Sequence, residues 1–196
     1  MLSEDQEAIE RVLQGDSTAY TSIVERYQRR LLGLLYHACG DPQLAEDIAQ
    51  EAFTRAFHKL ALYSGDSQFY TWLARIAMNL LFSDRRRKRL ENQLPREGLD
   101  VALDGDAFSN RHADRPPDQQ LEVSETQQCV QAAIALLDEE RRTVIVLRDF
   151  DGMDYEAIAA ALEIPVGTVR SRLHRARLEL RMILQRKAAE LGLSSL

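Results

Sequence analysis

Cysteine is nearly absent: Cys39 and Cys129 are the only two in 196 residues, too few for a disulfide framework and without CxxC spacing. Free thiols in a cytoplasmic setting are therefore expected. No stretch of about eighteen apolar residues occurs, and no Arg-rich amphipathic leader or signal peptide is recognisable, so nothing points to insertion into a membrane. A Gly-rich phosphate loop is also missing. The four histidines, His37, His58, His112 and His174, are scattered, and His37 and Cys39 sit two apart on an expected helix, where side chains do not face each other. The sequence assembles no Ser-His-Asp set, paired carboxylates or metal cluster, so catalytic residues, metals and cofactors are not expected. Proline is scarce and uneven: three of the five, Pro95, Pro116 and Pro117, fall in residues 91–123.

What is present is helical periodicity. An apolar fraction of 45% and a charged fraction of 29% are those of a globular protein. The net charge of -6 argues against a nucleic-acid binder until it is located. Residues 1–90 hold twelve acids and twelve bases, 124–196 hold eleven and ten, and 91–123 hold eight against three. That middle stretch has no apolar period and reads as a flexible acidic linker between two small helical domains, 1–90 and 124–190.

In the first domain a short helix is expected over 5–14 and a longer one over 17–39, with Tyr20, Ile23, Val24, Tyr27, Leu31, Leu34 and Leu35 at helical spacing. Asp41-Pro42 opens a third helix to about Leu60. Its apolar face is Ile48, Ala52, Phe53, Ala56 and Phe57; its other side carries Glu46, Asp47, Gln50, Glu51 and Thr54, an acidic ridge or a merely solvated face. After the polar loop YSGDSQ, a fourth helix begins near Ser67 with Phe69, Trp72, Leu73, Ile76, Ala77 and Leu80 on its buried stripe, and runs into Arg85-Arg86-Arg87-Lys88-Arg89. Aromatics beside a polar loop and a basic run suit single-stranded nucleic acid, because rings stack on bases and cations hold phosphates. Phe69 and Trp72 also suit a core.

In the second domain, after helices around Val130–Leu137 and Arg141–Phe150 and a turn at Asp151-Gly152, the stretch DYEAIAAALEIPVGTVRSRLHRARLELR (154–181) reads as a helix-turn-helix. Asp154 caps the first helix, and Pro165 ends it near Glu163. On the second, Val169, Leu173, Ala176 and Leu180 form the apolar stripe, leaving Arg170, Ser171, His174, Arg175 and Arg177 to face outward. Between Val166 and Lys187 there are seven Arg or Lys against one acid, Glu179. Clustered positive charge on a second helix is what reading the major groove requires, whereas a helical hairpin with a solvated basic face needs no such partner.

These features in combination resemble the sigma-70 family of bacterial transcription initiation factors. The resemblance is to the extracytoplasmic-function (ECF) group and its envelope-stress branch. It is carried by AEDIAQEAFTRAF (45–57), YSGDSQFYTWLARIAMN (63–79), LRDFDGMDYEAIA (147–159) and PVGTVRSRLHRAR (165–177). It implies an all-α fold of sigma regions 2 and 4 and a factor that directs core RNA polymerase to promoters. It further implies that Asp47, Gln50 and Glu51 dock on the clamp helices of the β′ subunit and that region 4 meets the β flap. Ser64, Gly65, Asp66, Ser67, Tyr70, Thr71, Trp72 and Asn79 would open and hold the −10 element, with Arg85, Arg86, Arg87, Lys88 and Arg89 gripping the nearby backbone. Thr168, Arg170, Ser171, His174 and Arg175 would read the −35 element. His174 stands where the envelope-stress branch tends to carry Phe, which implies a different −35 preference. An anti-sigma factor is the implied regulator. Two other readings remain: a stand-alone helix-turn-helix regulator that binds duplex DNA unaided, and a protein-protein adaptor.

Overall fold

The computed structural model describes residues 4–93 and 125–190, in which all regular structure is helical. The expected linker lies outside the described residues from position 94 onward, as do the side chain of Arg89 and the tail beyond 190.

Helix α1 (Glu4–Leu13) is followed by a 3-10 turn, Ser17–Ala19, whose cap Asp16 accepts from the Thr18 N–H at 3.2 Å. Helix α2 (Tyr20–Cys39) closes on Gly40, whose φ of 76° is the left-handed geometry that ends helices and that glycine adopts without strain. Asp41 then caps α3 (Pro42–His58), accepting from the N–H groups of Gln43 at 2.9 Å and Leu44 at 3.2 Å. The Asp-Pro signal thus works as expected, with proline where a helix has no donor to lose. A second 3-10 turn, Leu60–Leu62, and the loop to Gln68 lead into α4 (Phe69–Gln93). It starts two residues later than expected and runs three residues into the presumed linker. Helices α2, α3 and α4 enclose Ile23, Leu31, Leu35, Ala52, Phe69, Leu73 and Leu81. Each large apolar side chain so buried contributes roughly 1.5–3 kcal/mol before chain entropy is subtracted.

The second half begins with α5 (Glu125–Ala135) and α6 (Glu139–Ile145), the latter capped by Asp138, which accepts from the Arg141 N–H at 2.9 Å. Helix α6 widens into a π turn at Val146–Phe150, closed by the Asp151 N–H donating to the Val146 carbonyl at 3.0 Å. Gly152, at φ 78°, turns the chain into α7 (Tyr155–Leu162), where Asp154 accepts from the Ala157 N–H at 2.6 Å. Helix α7 ends on Glu163 in the left-handed region, φ 56°, and Pro165 precedes α8 (Val166–Glu190). Ile134, Leu137, Val144, Ile145, Leu147, Ile158, Val169, Leu173 and Ala176 are buried among these helices.

The two halves also pack on each other. Helix α7 lies against α4, and α5 and the π turn lie against α2. The sequence pattern carries no sign of this, and it changes the exposure of several expected site residues.

Candidate polymerase and nucleic-acid surfaces

On the first half, α2 and α3 leave an open groove of about 490 Å³ between them. Tyr20, Val24 and Leu32 line one wall, and Ala49, Gln50, Phe53 and Phe57 the other. Phe57, expected in the core, is 36% exposed here because its ring lies edge-on against Tyr20, centroids 5.1 Å apart, at the groove wall. The Tyr20 hydroxyl donates to the Phe53 carbonyl at 2.8 Å, and burial holds its phenol far above the ordinary tyrosine range. Asp47, Gln50 and Glu51 are all exposed along α3. Asp47 accepts from the Gln43 side chain at 3.2 Å, and Glu51 pairs with Arg55 one turn on, at 2.6 Å. The expected ridge is thus an acid rim beside an apolar trough, partly neutralised by Arg55. Such a surface suits an amphipathic helix with basic flanks.

The loop before α4 is exposed at Ser64, Gly65 and Asp66 and half-buried at Ser67. Gly65 takes φ 81°, the Ser64 hydroxyl donates to Asp66 at 2.6 Å, and the Tyr63 hydroxyl donates to the Ser67 carbonyl at 2.5 Å. Behind the loop the rings of Tyr63, Phe69 and Trp72 form one cluster with centroids 5.4–5.7 Å apart. Trp72 is 9% exposed. Tyr70 and Thr71, read from the helical period as off the buried stripe, are buried at 2% and 7%. For Tyr70 the reason is tertiary: the Tyr27 ring of α2 lies 5.4 Å from its ring centre, the Arg30 guanidinium 3.8 Å, and Asp151 accepts from its hydroxyl, on a face that a single helix's pattern assigns to solvent.

Asn79 and Arg86 stay exposed. The basic run is less free than its composition suggests. Arg85 donates to the Ala38 carbonyl at 2.8 Å, one of the last carbonyls of α2, which have no partner within the helix. Arg87 and Lys88 each reach Asp84 at 2.9 Å. Packing therefore does account for Arg85, and a local charge cluster for Arg87 and Lys88.

On the second half the face expected to read duplex DNA is open. Arg170, Ser171, His174 and Arg175 are exposed and Thr168 half-buried on the first turns of α8, while Val169, Leu173 and Ala176 are buried beneath them. The arginines divide by their partners. Arg172 is paired with Glu140 at 2.8 Å, and Arg177 with Asp149, Nε to Oδ2 at 3.0 Å. Arg177, expected to face outward freely, is instead committed to the helix before the motif. The Arg170 guanidinium lies 5.8 Å from the centre of the Tyr155 ring, at the outer limit of a cation–π contact. Arg175 has no ion pair with another described residue.

Between the halves runs a polar seam that sequence reasoning missed. The wide π turn sends three successive side chains in different directions: Asp149 to Arg177, Phe150 to the His37 ring at 4.5 Å, and Asp151 to α2. The Asp151 carboxylate, 2% exposed, accepts from Arg30 Nε at 3.0 Å and Nη2 at 3.2 Å and from the Tyr70 hydroxyl at 2.8 Å. The Arg30 guanidinium stacks 3.8 Å above the Tyr70 ring. Burial first, and the Asp151 charge second, push the Tyr70 phenol far up. His37 Nδ1 meets Gln131 Oε1 at 2.8 Å, and as that oxygen only accepts, Nδ1 carries the proton. Arg75–Glu163 at 3.8 Å and Arg85–Glu139 at 3.6 Å complete the seam. No sequence signal joins Arg30 to Asp151, which stand 121 residues apart.

Comparison with known proteins matches both helical halves. Residues 23–91 match Sigma-70 region 2 and residues 127–180 match Sigma-70, region 4. The RNA polymerase sigma-H factor of Pseudomonas aeruginosa is 40% identical over 89% of this chain and 90% of its own length. The ECF RNA polymerase sigma-E factor of Escherichia coli is 40% identical over 88% and 90%. Among solved structures, the sigma factor RpoE of Bartonella quintana, determined in complex with the anti-sigma factor NepR, superimposes with a TM-score of 0.67 at 23% identity, covering 85% of this chain and 96% of that one. CnrH, in complex with the cytosolic domain of CnrY, gives 0.64 at 24%, covering 98% and 100%. Two helical halves matching regions 2 and 4 in order, and relatives at this identity along nearly the whole length, establish that the chain belongs to the sigma-70 family of RNA polymerase sigma factors, with the ECF factors among its relatives.

Proposed function

We propose that this factor engages core RNA polymerase through the acid-rimmed groove of α2 and α3 and reads a bipartite promoter through two separate surfaces. As a sigma-70 family member it is a transcription initiation factor that directs core polymerase to promoters, and not an enzyme. In this reading residues 1–90 form the polymerase-binding and −10 domain and residues 124–190 the −35 domain. Asp47, Gln50 and Glu51 meet the β′ clamp helices. The Ser64–Ser67 loop with Tyr70, Thr71, Trp72 and Asn79 holds the melted −10 strand, with Arg86 and its basic neighbours along the backbone. Arg170, Ser171, His174 and Arg175, with Thr168 at the helix start, read the −35 duplex, and the same domain meets the β flap.

One observation carries the proposal: an open helix-turn-helix face, on which Arg170 and Arg175 have no ion pair with another described residue, shares a chain with an acid-rimmed apolar groove. The first suits the major groove and the second a helix of a protein partner. A stand-alone repressor needs only the first. No helix among the described residues is long and apolar enough to cross a membrane, and the proposed site of action is the bacterial cytoplasm. Control by an anti-sigma factor that covers the polymerase-binding surfaces belongs to the same proposal.

The test is run-off transcription from a pool of random promoter sequences with bacterial core polymerase, with and without the factor. Transcripts from a distinct promoter class only in its presence are expected, and would read out the −35 and −10 elements. Tight duplex binding without polymerase and no new transcripts, repeated with core enzyme from a close relative's organism, would overturn the proposal in favour of a stand-alone regulator.

A further inference from the structure

One side chain ties the two ends of the loop before α4 together. Tyr63 caps the 3-10 turn Leu60–Leu62, its N–H donating to the Leu60 carbonyl at 3.1 Å and its backbone extended at φ −75° and ψ 110°. Helix α1 packs against that turn and Leu60 is 2% exposed, so the start of the loop is anchored in the core. The Tyr63 ring then leans on the first turn of α4, edge-on to Phe69 with centroids 5.6 Å apart and tilted against Trp72 at 5.4 Å. Phe69 is 1% exposed, which makes that wall a fixed one. The ring delivers its hydroxyl to the far end of the loop, where it donates to the Ser67 carbonyl at 2.5 Å.

That carbonyl needs a donor from outside the helix. The carbonyl of Gln68 accepts from the Trp72 N–H at 3.2 Å, and Ser67 lies one residue earlier, before the helical ladder begins. Without a donor the Ser67 peptide is free to turn, and the loop turns with it. Burial first, and the charges of Asp5 and Asp66 after it, hold the Tyr63 phenol above the ordinary tyrosine range, so it keeps its proton and remains a donor. Between the tied ends stand Ser64, Gly65 and Asp66, all exposed. The Ser64 hydroxyl donates to Asp66 at 2.6 Å, and Gly65, at φ 81°, has open space where a side chain would stand. The tip therefore takes its shape from its own short bonds and its two ends.

A flipped base is discriminated only by groups held close to their productive positions, so a loop with an exposed polar tip reads a base only as well as it is held. The geometry points to Tyr63 as a positioning residue for −10 recognition: its hydroxyl, closing the loop onto the Ser67 carbonyl, sets the shape in which Ser64, Gly65 and Asp66 meet the base. This rests on the role given to the loop under the proposed function. Tyr63 acts through the loop, because its ring is engaged by Phe69 and Trp72 and its hydroxyl by Ser67. Phenylalanine at this position would keep the ring contacts and lose the tie.

The test uses the full-length factor assembled with core polymerase and two substitutions, Tyr63→Phe and Asp66→Ala. Fluorescence anisotropy measures binding to labelled single strands of the −10 element from a promoter selected by run-off, each base changed in turn, and to duplexes with each −35 position changed in turn. Asp66→Ala reports whether the loop reads the −10 strand at all. Tyr63→Phe should lower discrimination at one or two −10 positions by about three- to tenfold, the worth of one hydrogen bond, and leave the −35 profile unchanged. An unchanged −10 profile in Tyr63→Phe, with a flattened one in Asp66→Ala, would overturn the role of Tyr63 and keep the loop as a reader. Unchanged profiles in both variants would overturn the reading of the loop and the inference with it. A loss shared equally between −10 and −35 would make the tie merely structural and would also overturn the positioning role.

Discussion

Replacing Arg175 with alanine tests the reading of α8 most directly, with Arg177→Ala as its internal control. The two arginines lie two positions apart on one helix and differ in what holds them. Arg175 is exposed and has no ion pair with another described residue, so its removal should leave folding stability within about 0.5 kcal/mol. If its guanidinium grips a base bidentately, its loss should cost roughly 1–3 kcal/mol at that one base pair, or about five- to 150-fold in discrimination at 1.4 kcal/mol per tenfold. Arg177 is clamped on Asp149 through Nε at 3.0 Å, with both side chains well exposed. Its loss should cost about 0.2–1 kcal/mol of stability, as exposed pairs do, and leave base preference untouched. The assay is holoenzyme binding, by anisotropy, to a promoter selected in the run-off experiment and to duplexes with each −35 position changed in turn. The expected result is a flattened response at one position for Arg175→Ala and an unchanged profile for Arg177→Ala. A uniform weakening at Arg175, with a salt slope shallower by about 1, would make it a phosphate contact and refute the base-reading role. Equal loss of discrimination in both variants would refute the argument from free and tied side chains.

Three further outcomes are expected. Reversing Asp47 and Glu51 to lysine should abolish capture by immobilised core polymerase while circular dichroism stays unchanged, since both are exposed; retained capture would remove the docking assignment. Tyr20→Phe deletes the bond to the Phe53 carbonyl beside the groove and should lower stability by about 1 kcal/mol in urea titration, a wild-type midpoint counting against that bond. Glu163→Gly relieves a left-handed residue at φ 56° at the end of α7 and gives up only the exposed 3.8 Å pair with Arg75, so the denaturation midpoint should rise by about 0.5 kcal/mol in free energy; a fall would show that the side chain matters more than the strain.

Where local physics decides the outcome, the sequence was sufficient. Asp41-Pro42, Asp154 and Pro165 each set a helix boundary through a cap or a missing donor, and each boundary lies within a residue or two of its expected place. The stripe Val169, Leu173 and Ala176 is buried and the polar face beside it exposed, because α8 has one side against the core and its period shows which. The basic run after Ser83 was legible only as charge. That Arg85 closes the end of α2 and that Asp84 holds Arg87 and Lys88 depends on where the neighbouring side chains lie in space.

The sequence by itself determined the all-helical class, the two-part organisation, the helix-turn-helix and, through motifs matched in combination, the family. These rest on periodicity, capping and charge clustering, which act within a few residues along the chain. Only the tertiary structure decided that α2 and α3 leave an apolar trough beside the acidic rim and that Tyr70 is buried against Tyr27, Arg30 and Asp151. It also decided that Asp151 finds its counter-charge in Arg30. A helical period assigns one buried face per helix and cannot register a second partner on the opposite side, nor can it pair charges 121 residues apart.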